Sequence, residues 1–179
     1  SESGSDTNTG ESNSDPLRQV AEAISKSSAG DRIEVISGGN FDPFTINKSL
    51  EVIGPNDGIH PAYATRNAEA VIDGTVVIQA SDVTLSGFSV DAPSNPEKGI
   101  DINSPSSGIK IYNNKISGAD QGIKNGYIVA AVENSSDCGG SAGCDWEIKG
   151  NQITIPDTGT DSDGDPITGY IMHLYNLSG

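Results

Sequence analysis

Asp82-Val83-Thr84-Leu85-Ser86-Gly87-Phe88-Ser89-Val90 aligns without gaps with Gly108-Ile109-Lys110-Ile111-Tyr112-Asn113-Asn114-Lys115-Ile116. A third copy follows as Asp145-Trp146-Glu147-Ile148-Lys149-Gly150-Asn151-Gln152-Ile153, and Ser49-Leu50-Glu51-Val52-Ile53-Gly54 fits the first half of the same template. Apolar residues occupy the second, fourth and ninth positions, and Gly or Asn takes the sixth. The first positions recur at intervals of 33, 26 and 37 residues, the spread expected when loops of variable length interrupt constant units.

Each unit alternates apolar and polar residues with a period of two, as a short strand does. The pairs Ile33/Val35, Val76/Ile78 and Ile100/Ile102 extend the pattern beyond the aligned copies. Strands this short cannot make long hairpins, and their mutual resemblance favours a solenoid over a sandwich or barrel. A Gly or Asn at the sixth position supplies the left-handed backbone of a corner. Asn114 and Asn151 align one place later, where stacked amides can hydrogen-bond along the axis as an internal ladder. The expected fold is therefore all-β, a right-handed parallel β-helix of about four to five coils. The coils are placed at 31–56, 70–95, 99–118 and 122–158, with a partial fifth from Gly169. Residues 57–69 are expected to form a loop leaving the first coil, and 133–145 another from the fourth.

Ahead of the repeats, residues 1–14 lack apolar periodicity and read as a disordered polar tail or linker, leaving 15–179 as the β-helix domain. Ser14-Asp15-Pro16 reads as a helix start, and Leu17, Val20, Ala21 and Ile24 follow at helical spacing. The expectation is an amphipathic helix of about three turns over 16–27.

Ala29-Gly30-Asp31-Arg32-Ile33-Glu34-Val35, Thr45-Ile46-Asn47-Lys48-Ser49-Leu50-Glu51-Val52-Ile53-Gly54 and Glu69-Ala70-Val71-Ile72-Asp73-Gly74 resemble the first coils of pectin-lyase-like parallel β-helix proteins. The resemblance is closest to the secreted and cell-surface members of archaea and bacteria, over residues 17–125 and more loosely over 126–179. It implies the fold, and it implies that the helix over 16–27 covers the N-terminal end of the coils, where it would protect core and unpaired strand edges. It does not imply an activity, because that superfamily spans lyases, hydrolases, tailspikes and adhesins.

With 25 Asp and Glu against 10 Lys and Arg, the net charge of -15 repels nucleic acid and anionic membrane surfaces. No apolar run is long enough to span a membrane. The Ser-rich start SESGSDTNTGESNSDP reads as what is left after removal of a signal peptide not present in this chain, or as an ordinary disordered tail. Cys138 and Cys144 are separated by small flexible residues that let the chain double back, so a local disulfide is expected, and with it an oxidising compartment. Asn47, Asn134 and Asn176 stand in glycosylation sequences compatible with an extracellular or cell-envelope location.

Asp161, Asp163 and Asp165 alternate through a Gly-containing turn and, with Asp157, are candidate Ca²⁺ ligands, because a hard cation takes several carboxylate oxygens. The alternative reading is a solvated acidic turn. No catalytic set emerges. Asp73, Asp91, Asp101 and Asp120 recreate no glycosidase pairing, and the three arginines, Arg18, Arg32 and Arg66, belong to no lyase pattern. His60 and His173 are far apart with no nucleophile motif beside them. The last residues, with Tyr170, Ile171, Leu174 and Leu177, read as a coil without a cap. That coil is either truncated or covered by another subunit in head-to-tail assembly. The sequence thus points first to a non-catalytic envelope protein (surface-layer, sheath or filament subunit, or adhesin) that binds itself, head to tail or laterally, or other envelope components. A polysaccharide-binding or polysaccharide-cleaving β-helix is the alternative.

Overall fold

Runs of two to four residues, most of them alternating between inward and outward positions and cut short by Gly, Asn, Asp or Pro, form thirteen short strands among the described residues. The computed structural model describes residues 1, 3–62, 64–92, 99–102, 106–118 and 146–154. In chain order the strands are β1 (Arg32–Glu34), β2 (Gly39–Phe41), β3 (Thr45–Ile46), β4 (Glu51–Ile53), β5 (Ala70–Asp73), β6 (Val76–Ile78) and β7 (Thr84–Ser86). They continue with β8 (Ser89–Ala92), β9 (Ile100–Ile102), β10 (Lys110–Tyr112), β11 (Lys115–Gly118), β12 (Glu147–Lys149) and β13 (Gln152–Thr154).

Every described pairing is parallel, and consecutive strands go to different sheets. The first sheet runs β1-β4-β7-β10-β12, the second β2-β5-β8-β11-β13 and the third β3-β6-β9. That order is a parallel β-solenoid, in which each circuit lays its strands on those of the one before.

The register coincides with the gap-free sequence alignment. Leu85 pairs with Ile111 and Ile111 with Ile148 in the first sheet. Val90 pairs with Ile116 and Ile116 with Ile153 in the second. A single-residue slip would turn every inward side chain outward, so burial of this column holds the register. Val52, Leu85 and Ile111 are fully buried in the first sheet, and Ile72 and Val90 in the second. Ile46, Val76, Ile78 and Ile100 are fully buried in the third.

The corners follow the expected chemistry. The sixth positions Gly87, Asn113 and Gly150 have φ of 80°, 54° and 65°. Glycine is required at the first of them, because a Cβ on Gly87 would stand 2.3 Å from the Asp57 nitrogen. The amide ladder is also present. Buried Asn114 accepts the Phe88 N–H at Oδ1 (2.9 Å) and donates from Nδ2 to Leu85 O (3.1 Å) and to Asn151 Oδ1 (3.2 Å). Asn151 repeats the motif one level on, accepting the Asn114 N–H (2.9 Å) and donating to Ile111 O (2.8 Å).

Two boundaries differ from expectation. β4 pairs with β1, so a circuit closes before residue 51, and the expected first coil 31–56 contains the start of the next circuit. The excursion over 54–69 accordingly interrupts the second circuit, between β4 and β5, instead of leaving the first. The helix α1 runs Val20–Lys26, not 16–27. Asp15 does not cap it, since its carboxylate accepts the Thr9 N–H and hydroxyl (2.9 and 2.8 Å). Asp6 Oδ1 instead accepts the N–H groups of Arg18 (3.1 Å) and Gln19 (2.8 Å) just before the helix.

Val20 and Ile24 of α1 join the hydrophobic core. Lys48 Nζ closes the other helix end by donating to Ile24 O (2.8 Å), Ser25 O (3.0 Å) and Ser27 O (2.7 Å). The stretch read as a tail contains no helix or strand among its described residues, and it lies against α1. The Ser1 amino group donates to Leu17 O (2.8 Å), and Lys26 donates to the carbonyls of Asp6 and Asn8. No helix among the described residues is long and apolar enough to cross a membrane.

Candidate functional site

Because the inward residues fix the register, outward residues are forced into rows that cross the levels. On the first sheet one row is Arg32, Glu51, Thr84, Lys110 and Glu147. Arg32 reaches Glu51 along this row at 3.2 Å and Glu34 on its own strand at 2.8 Å. At the other end the Tyr112 hydroxyl donates to Glu147, and Lys149 lies 3.2 Å from the same carboxylate. The hydrogen bond to Glu147 pushes the Tyr112 hydroxyl up to about 12. The same bond, with Lys149, holds the Glu147 carboxyl below its ordinary value.

Trp146 stands beside this row, its ring fixed by donation from Nε1 to Ser106 O at 2.8 Å. Together with Glu51, Asp82, Thr84, Lys110 and Glu147 it lines an open groove of about 710 Å³. Glu51 and Glu147 are three levels apart, about 14 Å at roughly 4.8 Å per level. That exceeds the separation of about 5–10 Å at which two carboxylates share acid and base roles. The groove instead offers an aromatic surface flanked by donors and acceptors, a chemistry suited to holding a polar ligand.

Asp73 and Asp91 are register partners on the second sheet, and Ser117 Oγ donates to Asp91 at 3.1 Å. Asp101 is on the third sheet, away from them, and Asp120 lies outside the described residues. The structure therefore brings two of the four weighed aspartates together.

The excursion over 54–69 contains a construction that sequence reasoning missed. Buried Asn56 pairs with Asn67 as a peptide group would: Oδ1 accepts the Asn67 N–H (2.7 Å), and Nδ2 donates to Asn67 O (3.3 Å) and Glu69 (3.0 Å). Arg66, with only 4% of its side chain exposed, binds both Glu69 oxygens (2.8 and 3.0 Å). Its remaining N–H groups reach Ile59 O (2.8 Å), Asn113 O (2.8 Å) and Phe88 O (3.4 Å). One guanidinium thus ties the excursion to the corners of the two following levels.

Lys115 adds a second cation, 2.9 Å from Glu69. Burial opposes ionisation of Glu69, but the hydrogen bonds from Arg66 and Lys115 outweigh it and hold the carboxyl below its ordinary value. His60 belongs to the same excursion, where its Nδ1 accepts the Ala62 N–H at 3.2 Å. The local signal was Arg66 three residues before Glu69, but its backbone acceptors come from distant levels.

The other expected sites divide simply. Asn47 is exposed just after β3 and borders a groove of about 950 Å³ between α1 and the third sheet. Asn134, Asn176, Cys138 and Cys144 lie outside the described residues, as does His173. So do Asp157, Asp161, Asp163 and Asp165, and the expected assembly end at Tyr170, Ile171, Leu174 and Leu177. Among the described residues no three His, Cys, Asp or Glu side chains gather to hold a metal ion.

Parallel sheets stacked in register, internal amide ladders and charged outward rows define a parallel β-solenoid protein. A family model described as "Protein of unknown function (DUF1565)" matches residues 54–171, well over half of the chain, and the protein belongs to that family. The match begins at the braced excursion and takes in the aligned repeats, in agreement with the expected β-helix. No curated protein and no solved structure matches the chain.

Proposed function

We propose that this protein is a non-catalytic extracellular cell-envelope component, a surface-layer, sheath or filament subunit or an adhesin, that assembles through its β-helix. In this reading the helix is right-handed, as parallel crossovers nearly always are, with four to five coils and α1 as its N-terminal cap. The carrying observation is the burial gradient of the first sheet. Val52, Leu85 and Ile111 are fully buried in the middle levels, whereas Ile148, at the described end away from α1, is only partly buried. A solenoid grows by adding levels at constant register, and a neighbouring subunit extends it by the same rule.

Ca²⁺ held by Asp157, Asp161, Asp163 and Asp165, and a Cys138–Cys144 disulfide, fit an extracellular assembly, as does glycosylation at Asn47, Asn134 or Asn176. Sedimentation of the purified chain over a concentration series, with and without Ca²⁺, tests the assembly. Growth beyond the monomer is expected, and a monomer throughout refutes it. The Trp146 groove favours a second reading, polysaccharide binding. A screen against uronate and neutral glycans promotes that reading if one class binds and Trp146→Ala abolishes the binding.

A further inference from the structure

We infer that the free edge of β1 is a docking groove for an extended, basic peptide segment that joins the first sheet as an added strand. β1 pairs with β4 on one side only. Glu51 N–H donates to Asp31 O, and Val35 N–H donates to Ile53 O. Those bonds identify the odd-numbered residues of this segment as the ones facing β4. By the two-residue alternation, the N–H and C=O groups of Arg32 and Glu34 face away from it. No described residue takes those four groups.

The edge opens on a groove of about 860 Å³, walled on one side by residues 31–36 and on the other by residues 7–13, with Leu17 and Val20 at its base. The three-residue strand spans about 10 Å, room for one added strand but not for a second complete coil, because α1 and the N-terminal segment stand opposite. Ile36, 42% exposed, is the one large apolar side chain left open among the described residues, and it lies on this wall.

Charge selects the occupant. The cations along the groove are already engaged, Arg32 by Glu34 and Glu51, Lys26 by Glu22 at 3.4 Å, and the Ser1 amino group by the Leu17 carbonyl at 2.8 Å. Glu11 and Asp31 line the same groove and form no ion pair among the described residues. With a chain charge of -15 around it, the groove repels acidic segments and attracts those bearing Lys or Arg. The backbone ladder supplies affinity, and side chains at alternate positions supply selectivity, one set over Ile36 and the other over the carboxylates. This inference stands apart from self-assembly, since the occupant is a peptide of another composition.

The test uses the whole chain and a fluorescein-labelled Lys-Val-Lys-Val-Lys peptide followed by anisotropy. Saturable binding is expected. Two control peptides should bind roughly tenfold or more weakly: one N-methylated at every residue, which has no backbone N–H to donate from either edge, and Glu-Val-Glu-Val-Glu, which carries the wrong charge. Glu34→Pro deletes an N–H that has no partner within the fold, so it should weaken binding to the same degree while the unfolding temperature stays near wild type. Should that variant unfold, Glu34→Lys decides the charge contribution and the N-methylated peptide decides the ladder. Equal binding of the N-methylated peptide, undiminished binding by folded Glu34→Pro or by Glu34→Lys, or no saturable binding of the basic probe up to millimolar concentration overturns the inference.

Discussion

Replacing Asn114 with Ala probes the interior ladder on which the stacking depends. The Asn114 side chain is fully buried, accepting the Phe88 N–H and donating to Leu85 O and Asn151 Oδ1. Alanine leaves the Phe88 N–H without its acceptor and removes a donor from the other two groups. Each buried polar group stranded in this way costs about 1–3 kcal/mol. With the small cavity added, the expected loss is about 3–5 kcal/mol. For a chain of this size that lowers the unfolding temperature by on the order of 10 °C. Asn151→Ala, at a half-buried level where water replaces part of the lost bonding, should cost only about 1–2 kcal/mol. Urea titration followed by far-ultraviolet circular dichroism measures both, with the outward Thr84→Ala as a control expected within about 0.5 kcal/mol of wild type. Because the two amides bond each other, the double variant should lose less than the sum of the single losses. An Asn114→Ala loss below about 1 kcal/mol, or an equal loss at Asn151, refutes the ladder as a structural determinant.

At the corners, Gly87→Ala should cost at least about 2 kcal/mol, from its positive φ and the approach of the Asp57 backbone, whereas Asn113→Gly at φ 54° should stay within about 1 kcal/mol. Chemical denaturation of the two variants side by side measures the contrast. Arg66→Met should cost roughly 2–4 kcal/mol and expose residues 54–69 to limited proteolysis, read by mass spectrometry. Glu69 has a folded-state pKa below its ordinary 4.5, so its stabilising contribution is complete above that pH and is lost as pH falls through the folded value. Glu69→Gln should therefore destabilise the protein at neutral pH and flatten the acid limb of the unfolding-temperature profile below about pH 4.5. Spectrophotometric titration should find one tyrosine ionising near 12, and Glu147→Gln should bring it down toward the ordinary 10.0; no difference between the two titrations contradicts the Tyr112–Glu147 bond.

The parts of the fold legible in the sequence were those determined by short-range repetition. The offsets that align Leu85, Ile111 and Ile148 in sequence are the offsets that pair them in the sheet, because one inward column must stay buried at every level. The Gly and Asn corners were equally legible, since few other residues take a positive φ. The phase of the circuits was not. β2 and β3 are Gly39-Asn40-Phe41 and Thr45-Ile46, too short to carry a visible alternation, so residues 31–56 read as one coil. The helix start failed for a related reason. Asp15 has the right chemistry for a cap, but Thr9, six residues earlier, takes its carboxylate. Arg66 was illegible as a brace because its partners at Phe88 and Asn113 converge only after two further circuits have been laid down.

A structure in which the inward column dictates register has a consequence for where function can reside. Exchanging an inward residue disturbs pairing on both neighbouring levels, so that column is constrained by packing alone. Outward residues are free of it, yet they inherit its spacing: whatever stands at the third position of a repeat is delivered to one straight row about every 4.8 Å. Arg32, Glu51, Thr84, Lys110 and Glu147 are such a row, placed by Ile33, Val52, Leu85, Ile111 and Ile148 beside them. The 54–69 excursion uses the same geometry from outside, since Arg66 reaches carbonyls that recur level by level at the corner. Recognition by this protein is therefore to be sought where a row meets an irregularity, at the Trp146 groove or at the open edge of β1. There the lattice of fixed positions borders an open groove.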